Sequence, residues 1–143
     1  MKIVVIDGQG GALGKHLIAA VKSAAATDAS AEIIAVGTNS AATSAMMNGG
    51  ADRGATGENP IIVACSDADI IVGPVGILCA NAMLGEITPT MALAVGAARA
   101  VKILVPVSRC DIMIAGASEM SYGEYVKIAA RMVAGEIKKK REK

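Results

Sequence analysis

The residues best suited to chemistry in this chain form a glycine-rich segment near its start. Residues 3–6 have the pattern of a buried β-strand, glycines follow at positions 8, 10, 11 and 14, and a helical pattern begins at about Leu13. Such a loop lets backbone N–H groups approach an anion, and the dipole of the following helix favours the negative charge. We therefore predict that a phosphate-bearing ligand binds here. The candidate binding residues are Asp7, Gly8, Gln9, Gly10, Gly11 and Gly14.

The spacing of the loop argues against a Walker-type ATPase. That motif needs a glycine, four further residues and then Gly-Lys-Ser/Thr, because the lysine neutralises phosphate and the hydroxyl holds magnesium. Counting back from Lys15 puts Gln9 at the first glycine position, and His16 stands where the hydroxyl is needed.

The dinucleotide fingerprint G-x-G-x-x-G fits the loop better. Gly8 and Gly10 match it, although Leu13 stands at the third position and the next glycine follows at Gly14. NAD and NADP are therefore the cofactors that the loop suggests. The alternative is that the glycines only permit a tight turn and close packing of strand and helix.

The expected second strand, residues 32–36, ends without an acidic residue. Dinucleotide-binding folds hold the ribose hydroxyls with an acid at this place, but here the neutral segment Gly37-Thr38-Asn39-Ser40 follows. Thr38, Asn39 and Ser40 are candidates to bind a ribose or a 2′-phosphate, and we expect weak discrimination between NAD and NADP. Helix capping, with Ser40 as the cap, is the alternative role for this segment.

Buried strand patterns alternate with helical patterns along the whole chain. This alternation predicts an α/β fold, in which helices cover both faces of a mostly parallel sheet. We expect a single Rossmann-like domain, a three-layer sandwich over residues 1–143, with a C-terminal helix and basic tail at 119–143. Residues 108–111 suggest a turn that joins the last strand, 101–107, to an antiparallel edge hairpin at 112–115.

Ligands of such sheets bind beyond the carboxyl ends of the strands, where the strand order reverses. The strand expected at 68–72 ends in Gly73-Pro74-Val75-Gly76, so Gly73 and Gly76 join the candidate binding residues. Residues 106–109 are expected at the same edge.

Other polar residues allow a structural and a functional interpretation. Asp7 is placed to bind a ribose or a magnesium ion, or to hold the glycine loop by accepting backbone N–H bonds, which we favour. His16 lies on the polar face of the first helix, which is typical of a solvated side chain rather than a catalyst. Asn59-Pro60 and Thr88-Pro89 each have the pattern of an N-cap followed by the first helical residue, so a helix is expected to start at each pair. Glu58 and Glu86 precede these helix starts, where the dipole favours an acid. The spacing supports no catalytic set and no metal cluster.

Composition limits the classes of partner. The net charge is +1 and no aromatic residue interleaves with the basic run 138–143, so neither nucleic acid nor an acidic membrane is indicated. Three cysteines without a C-x-x-C spacing fit reduced thiols in a cytoplasmic protein. The longest uncharged stretch, 70–85, is too short and too broken to span a bilayer. A hydrophobic fraction of 53% with 19% charged residues predicts a homo-oligomer, in the first instance a dimer.

Five segments of the chain carry a family resemblance. They are residues 6–11 (IDGQGG), 37–46 (GTNSAATSAM), 54–59 (GATGEN), 73–77 (GPVGI) and 84–89 (LGEITP). These segments resemble a family of small bacterial proteins classed as a domain of unknown function. The resemblance covers residues 1 to about 116 and implies a cytoplasmic bacterial protein with a Rossmann-like glycine loop, without an activity, a substrate or a catalytic residue. The family tends to have Gly-Ile where this chain has Ala12-Leu13, which adds a Cβ to the loop.

Three classes of function remain open. The first is binding of a nucleotide or dinucleotide phosphate without chemistry. The second is a small NAD(P)-dependent oxidoreductase, although neither Tyr122 nor Tyr125 is followed four residues later by the lysine that short-chain reductases use. The third is a structural or subunit-interaction protein that has no ligand.

Overall fold

The computed structural model describes residues 1–107 and 111–143, in which strands and helices alternate. The strands are β1 (Lys2–Asp7), β2 (Glu32–Gly37), β3 (Arg53–Thr56), β4 (Ile70–Pro74) and β5 (Val101–Val105). The helices are α1 (Ala12–Ala24), α2 (Ser40–Asn48), α3 (Glu58–Ser66), α4 (Pro89–Ala97) and α5 (Tyr122–Arg141). One turn of 3₁₀ helix, Val75–Leu78, follows β4 directly.

The five strands form one sheet in the order β3-β2-β1-β4-β5, and every neighbouring pair is parallel. The chain builds outward from β1 to β3 and then returns to place β4 on the other side of β1. The strand order therefore reverses between β1 and β4. This is the order of the first five strands of the Rossmann fold, so the predicted α/β fold with a Rossmann-like parallel sheet is confirmed.

Side chains of the sheet alternate between two hydrophobic layers. On one face, Ile3 and Val5 pack with residues of α1, α2 and α5, among them Leu17, Met46 and Val133. On the other face, the alternate residues of β1 pack against α3 and α4. A strand covered on both faces is apolar along its length, which explains the continuous hydrophobic run at the start of the sequence.

The predicted antiparallel edge hairpin is wrong. Residues 112–115 form no strand, and within the described residues β5 pairs with β4 alone. The predicted turn residues 108–110 lie outside the described part of the chain. The physical reason is the direction of the connection: the chain leaves β5 at the carboxyl edge of the sheet and begins α5 at Tyr122, which lies at that same edge. A strand that ran back along β5 would carry the chain to the opposite edge.

The helices start where local capping residues predict, except that α3 starts earlier than expected. The Thr88 side chain accepts a hydrogen bond from the Met91 backbone N–H at 3.1 Å, just before α4 begins at Pro89, as predicted. The start expected at Asn59-Pro60 lies earlier, because Gly57 adopts a φ of +108° and lets α3 begin at Glu58. Pro60 then falls in the first turn, where its missing N–H is not needed.

The C-terminal helix α5 contains the basic tail in its last turn. Lys140 of this turn pairs with Asp69, the residue that precedes β4, so an ion pair ties the tail to the start of that strand. No helix in residues 1–107 and 111–143 is both long enough and apolar enough to cross a membrane.

Cys65 and Cys79 lie in the described part of the chain and form no disulfide with each other. Cys65 is buried and Cys79 is half-buried. Burial raises the pKa of the Cys65 thiol to about 11, so this thiol stays protonated at neutral pH. Cys110 lies outside the described residues.

Gly73 marks the closest approach of β4 to β1. A Cβ at this position would lie 2.5 Å from the carbonyl oxygen of Ile6, which is a backbone atom and cannot rotate away. We predict that Gly73→Ala lowers the free energy of unfolding by about 1–3 kcal/mol through overpacking. Urea unfolding measures the change.

Gly135→Ala is the matched control for this substitution. Gly135 lies in α5, and a Cβ there has no atom within 4 Å. The free energy of unfolding of Gly135→Ala should stay the same or rise, because alanine is more favourable than glycine inside a helix. An equal loss in the two variants would show that the contact with Ile6 is not the cause.

Candidate functional site

A cleft of about 350 Å³ opens at the carboxyl edge of the sheet, at the point where the strand order reverses. Its size lies within the range of roughly 300–1,000 Å³ that is usual for small-molecule sites. The lining residues come from the glycine loop and the start of α1, the end of β4 and the turn after it, the connection before α4, the segment after β5 and the start of α5. They are Asp7, Gly8, Gln9, Gly10, Gly11, Ala12, Leu13, Pro74, Gly76, Met83, Leu84, Val107 and Tyr122.

Asp7 holds the glycine loop in shape. Its carboxylate accepts hydrogen bonds from the backbone N–H of Gly8 at 2.8 Å and of Gly14 at 2.7 Å, and the residue is only 6% exposed. Burial raises the pKa of Asp7, and the two N–H bonds oppose that rise without cancelling it. Since both oxygens bond to the loop itself, the geometry assigns Asp7 the loop-holding role.

The start of α1 leaves backbone donors at the cleft. Gly11 adopts a left-handed φ of +71° before the helix, no side chain caps it, and no acidic residue stands in the first turn. The backbone N–H groups of Gly10, Ala12 and Leu13 have no hydrogen-bond partner among the described residues. These donors stand at the positive end of the helix dipole, where an anion is stabilised.

Three of the loop glycines are explained by packing. A Cβ at Gly8 would lie 2.8 Å from Thr38 Oγ1, one at Gly11 would lie 2.7 Å from the backbone of Ala42, and one at Gly14 would meet Met46 and Asp7. Packing therefore accounts for glycine at positions 8, 11 and 14, as the packing alternative proposed.

Gly10 differs from its neighbours in the loop. A Cβ on Gly10 has no atom within 4 Å, and its φ lies outside the left-handed region. Neither a close contact nor a backbone constraint therefore requires glycine there. The positive φ angles of the loop belong instead to Gln9, at +50°, and to Gly11.

A carboxylate that the sequence did not place at this site lies at the end of β2. Glu86 Oε1 accepts hydrogen bonds from the Gln9 backbone N–H at 2.9 Å, Thr38 Oγ1 at 2.7 Å and Asn39 Nδ2 at 2.7 Å. Partial burial raises the pKa of Glu86, but the three hydrogen bonds outweigh it and hold the pKa below its ordinary value. Glu86 is therefore ionised at neutral pH and ties the glycine loop to β2.

The segment after β2 has more fixed roles than the sequence suggested. Asn39, rather than Ser40, caps α2 by accepting a hydrogen bond from the Ala42 N–H at 2.9 Å. Its amide nitrogen also donates to the Gln9 carbonyl at 2.9 Å. Asparagine is preferred over serine here because one side chain both caps the helix and reaches the loop. Ser40 is exposed at the first position of α2.

Gly73 and Gly76, the two candidate glycines near the end of β4, have different places in the structure. Gly76 lines the cleft, within the 3₁₀ turn. Gly73 lies inside β4 against β1 and is absent from the described cleft walls.

The connection between residues 79 and 88 covers the glycine loop. Asn81, Met83 and Leu84 have φ angles of +65°, +56° and +56°, and Gly85 follows at +90°. Such a run of left-handed side-chain-bearing residues is strained, and strain of this kind concentrates at functional sites. The Met83 sulfur would lie 2.6 Å from a Cβ on Gly8, so the segment rests directly on the loop.

We predict that Glu86→Gln lowers the free energy of unfolding by about 1–2 kcal/mol at pH 7, because three charge-assisted hydrogen bonds are weakened. The folded-state pKa of Glu86 lies below its ordinary value of 4.5, so the ionised form stabilises the fold above that pH. The difference between the two proteins should shrink as the pH falls below 4.5. Urea unfolding at pH 7 and pH 3.5 measures it, and a difference that did not change with pH would contradict an ionic role.

Comparison with solved structures finds a likeness that extends over nearly the whole chain. A dodecameric FMN-dependent UbiX-like decarboxylase from Escherichia coli O157:H7 is similar over 96% of this chain and 95% of that chain, with 13% identity and a TM-score of 0.46. A likeness at this level says nothing about ligand or activity. Comparison with curated proteins finds no match.

Comparison with protein families confirms the resemblance seen in the sequence and extends it. The match continues past residue 116 through most of α5, so the C-terminal helix is part of the family's pattern. The chain belongs to the family described as Domain of unknown function (DUF3842), whose model matches residues 2–138.

Proposed function

We propose that the protein binds a nucleotide or dinucleotide, whose phosphate is held by the backbone N–H groups of the glycine loop. The observation that carries the proposal is the pairing of open space at Gly10 with three backbone donors that have no partner among the described residues. Packing explains the other glycines of the loop, but it does not explain this one.

The position of the cleft supports the same function. In open parallel sheets, ligands bind beyond the carboxyl ends of the strands at the point where the strand order reverses. Here that point lies between β1 and β4, and the end of each strand contributes to the cleft, through Asp7 and Pro74.

The walls of the cleft suit the uncharged part of such a ligand. Met83, Leu84 and Val107 present apolar side chains, and Tyr122 adds an aromatic ring. A ring system of a nucleotide can pack against such walls while its phosphate lies at the start of α1.

Binding alone accounts for these features, and the proposal assigns no reaction. Tyr122 is the tyrosine that lines the described cleft, and its hydroxyl is the proton donor that an oxidoreductase would offer here. The residue four positions later is Val126, so the lysine that would lower the pKa of such a phenol is absent from that position.

We predict that Gly10→Val weakens the binding of ADP, NAD and NADP by about tenfold or more without unfolding the protein. A β-branched side chain would fill the space into which phosphate oxygens must come. The fold should tolerate it, because a Cβ at this position has no protein atom within 4 Å. Titration calorimetry measures binding, and the melting temperature measures folding. Saturating ligand should also raise the melting temperature of the unaltered protein.

Gly135→Val is the matched control, because Gly135 is also free of contacts but lies 13 residues along α5 from Tyr122. It should bind like the unaltered protein. A Gly10→Val variant that bound equally well would reject the loop as the phosphate site. If no nucleotide bound the unaltered protein, the structural role without a ligand would replace the proposal.

The protein is also proposed to form a homo-oligomer. Exposed apolar side chains gather in the segment before α5, where Met113 is 98% exposed and lines one surface hollow together with Ile112, Ile114 and Met120. Apolar surface of this extent is usually covered by a partner in a stable protein.

Light scattering at high micromolar concentration tests the assembly. We expect a mass at least twice the 14.3 kDa of one chain. A monomer mass at that concentration would reject the homo-oligomer.

A further inference from the structure

The end of β2 is the place where nucleotide-binding folds of this topology recognise a ribose. An acidic residue at the end of that strand accepts hydrogen bonds from the ribose hydroxyls, while the phosphate lies on the glycine loop. In this chain β2 ends at Gly37, which pairs with Asp7 of β1, and neutral Thr38 and Asn39 follow. Strand β2 itself therefore supplies no carboxylate for this task.

We propose that Glu86, from a distant part of the chain, supplies that carboxylate, and that the ligand is a nucleotide with free 2′ and 3′ ribose hydroxyls, such as NAD rather than NADP. The proposal rests on the proposed function and names the class of ligand that the same site takes. It replaces the expectation of weak discrimination that the neutral end of β2 suggested.

Glu86 is held where such a carboxylate is needed. Its Oε1 accepts one bond from the glycine loop, through the Gln9 N–H, and two bonds from the residues that follow β2, Thr38 and Asn39. Oε1 also lies 3.4 Å from the Cβ position of Gly8. The carboxylate thus stands between the first turn of the loop and the end of β2.

The second oxygen of Glu86 is accessible and has no partner in the described part of the chain. All three hydrogen bonds go to Oε1, and Oε2 has no partner among the described residues. No buried side-chain oxygen in the described part of the chain lacks a partner, so Oε2 must be accessible. Oε2 of this fixed carboxylate has two lone pairs, so it can accept hydrogen bonds from the hydroxyls of a ribose diol.

The negative charge of Glu86 disfavours the binding of a ligand that carries a 2′-phosphate. Its three partners are neutral groups, so its negative charge is not paired with a cation through any of these bonds. The carboxylate of Asp7 lies close behind, near enough for Glu86 to raise its pKa. A phosphate on the 2′ position would add a further negative charge beside Glu86, which is unfavourable.

The experiment compares the affinities of NAD, NADP and ADP by titration calorimetry for the unaltered protein, Glu86→Gln and Glu58→Gln. Glu58 is the matched control, because it too is a carboxylate bonded by a threonine hydroxyl, that of Thr88, but it stands at the start of α3. We expect the unaltered protein and Glu58→Gln to bind NAD about tenfold or more tightly than NADP. Glu86→Gln should lose most of this preference.

Each other outcome has a definite meaning. Equal affinity of the unaltered protein for NAD and NADP, or a preference that Glu86→Gln keeps, would overturn the assignment of Glu86 and leave nucleotide binding intact. If ADP, NAD and NADP all failed to bind, the proposed function would fail and this assignment with it. If Glu86→Gln did not fold, the preference of the unaltered protein would be measured at low and high salt. A preference of electrostatic origin shrinks with salt, and one that did not change would overturn the assignment.

Discussion

One buried carboxylate determines the shape of the glycine loop. Asp7 accepts a hydrogen bond from Gly8 and another from Gly14, and so joins the end of β1 to the first turn of α1. The chain between these two bonds must then bulge outward, with Gln9 and Gly11 in left-handed conformations. The exposure of the Gly10 amide at the cleft follows from this closure. Every role considered for the loop depends on Asp7 remaining inside it.

A second carboxylate joins three segments that are far apart in sequence. Glu86 Oε1 bonds to Gln9, Thr38 and Asn39, over separations of 77, 48 and 47 residues. The strained connection before α4 is thereby fixed at its C-terminal end. The strain at Met83 and its neighbours persists because the surrounding contacts determine the path of the chain. The same bonds that maintain this strained path also hold a charged group against the glycine loop.

The sequence predicted those features whose signals are local. The apolar run of β1, the glycine spacing and the Thr88-Pro89 start of α4 each lie within a few residues, and the parallel sheet follows from their alternation. Glu86 could not be placed in this way, because its neighbours in sequence describe a helix start and its partners are distant. The sequence predicts Ser40 as the cap of α2, whereas the structure has Asn39, because both residue types cap helices well and they are adjacent in the chain. The prediction of an edge hairpin is wrong because the direction of a connection depends on where the next helix packs, and that is not a local signal.

The difference between Gly10 and the other loop glycines suggests how sequences of the family can be compared for ligand binding. Gly8, Gly11 and Gly14 are required by neighbouring atoms, so a relative must keep them in order to fold this way. Position 10 is under no such requirement from the fold. A lineage that lost its ligand would be free to change position 10 while keeping positions 8, 11 and 14. Under the proposed function, divergence confined to that position would therefore separate relatives that bind the ligand from those that only retain the architecture.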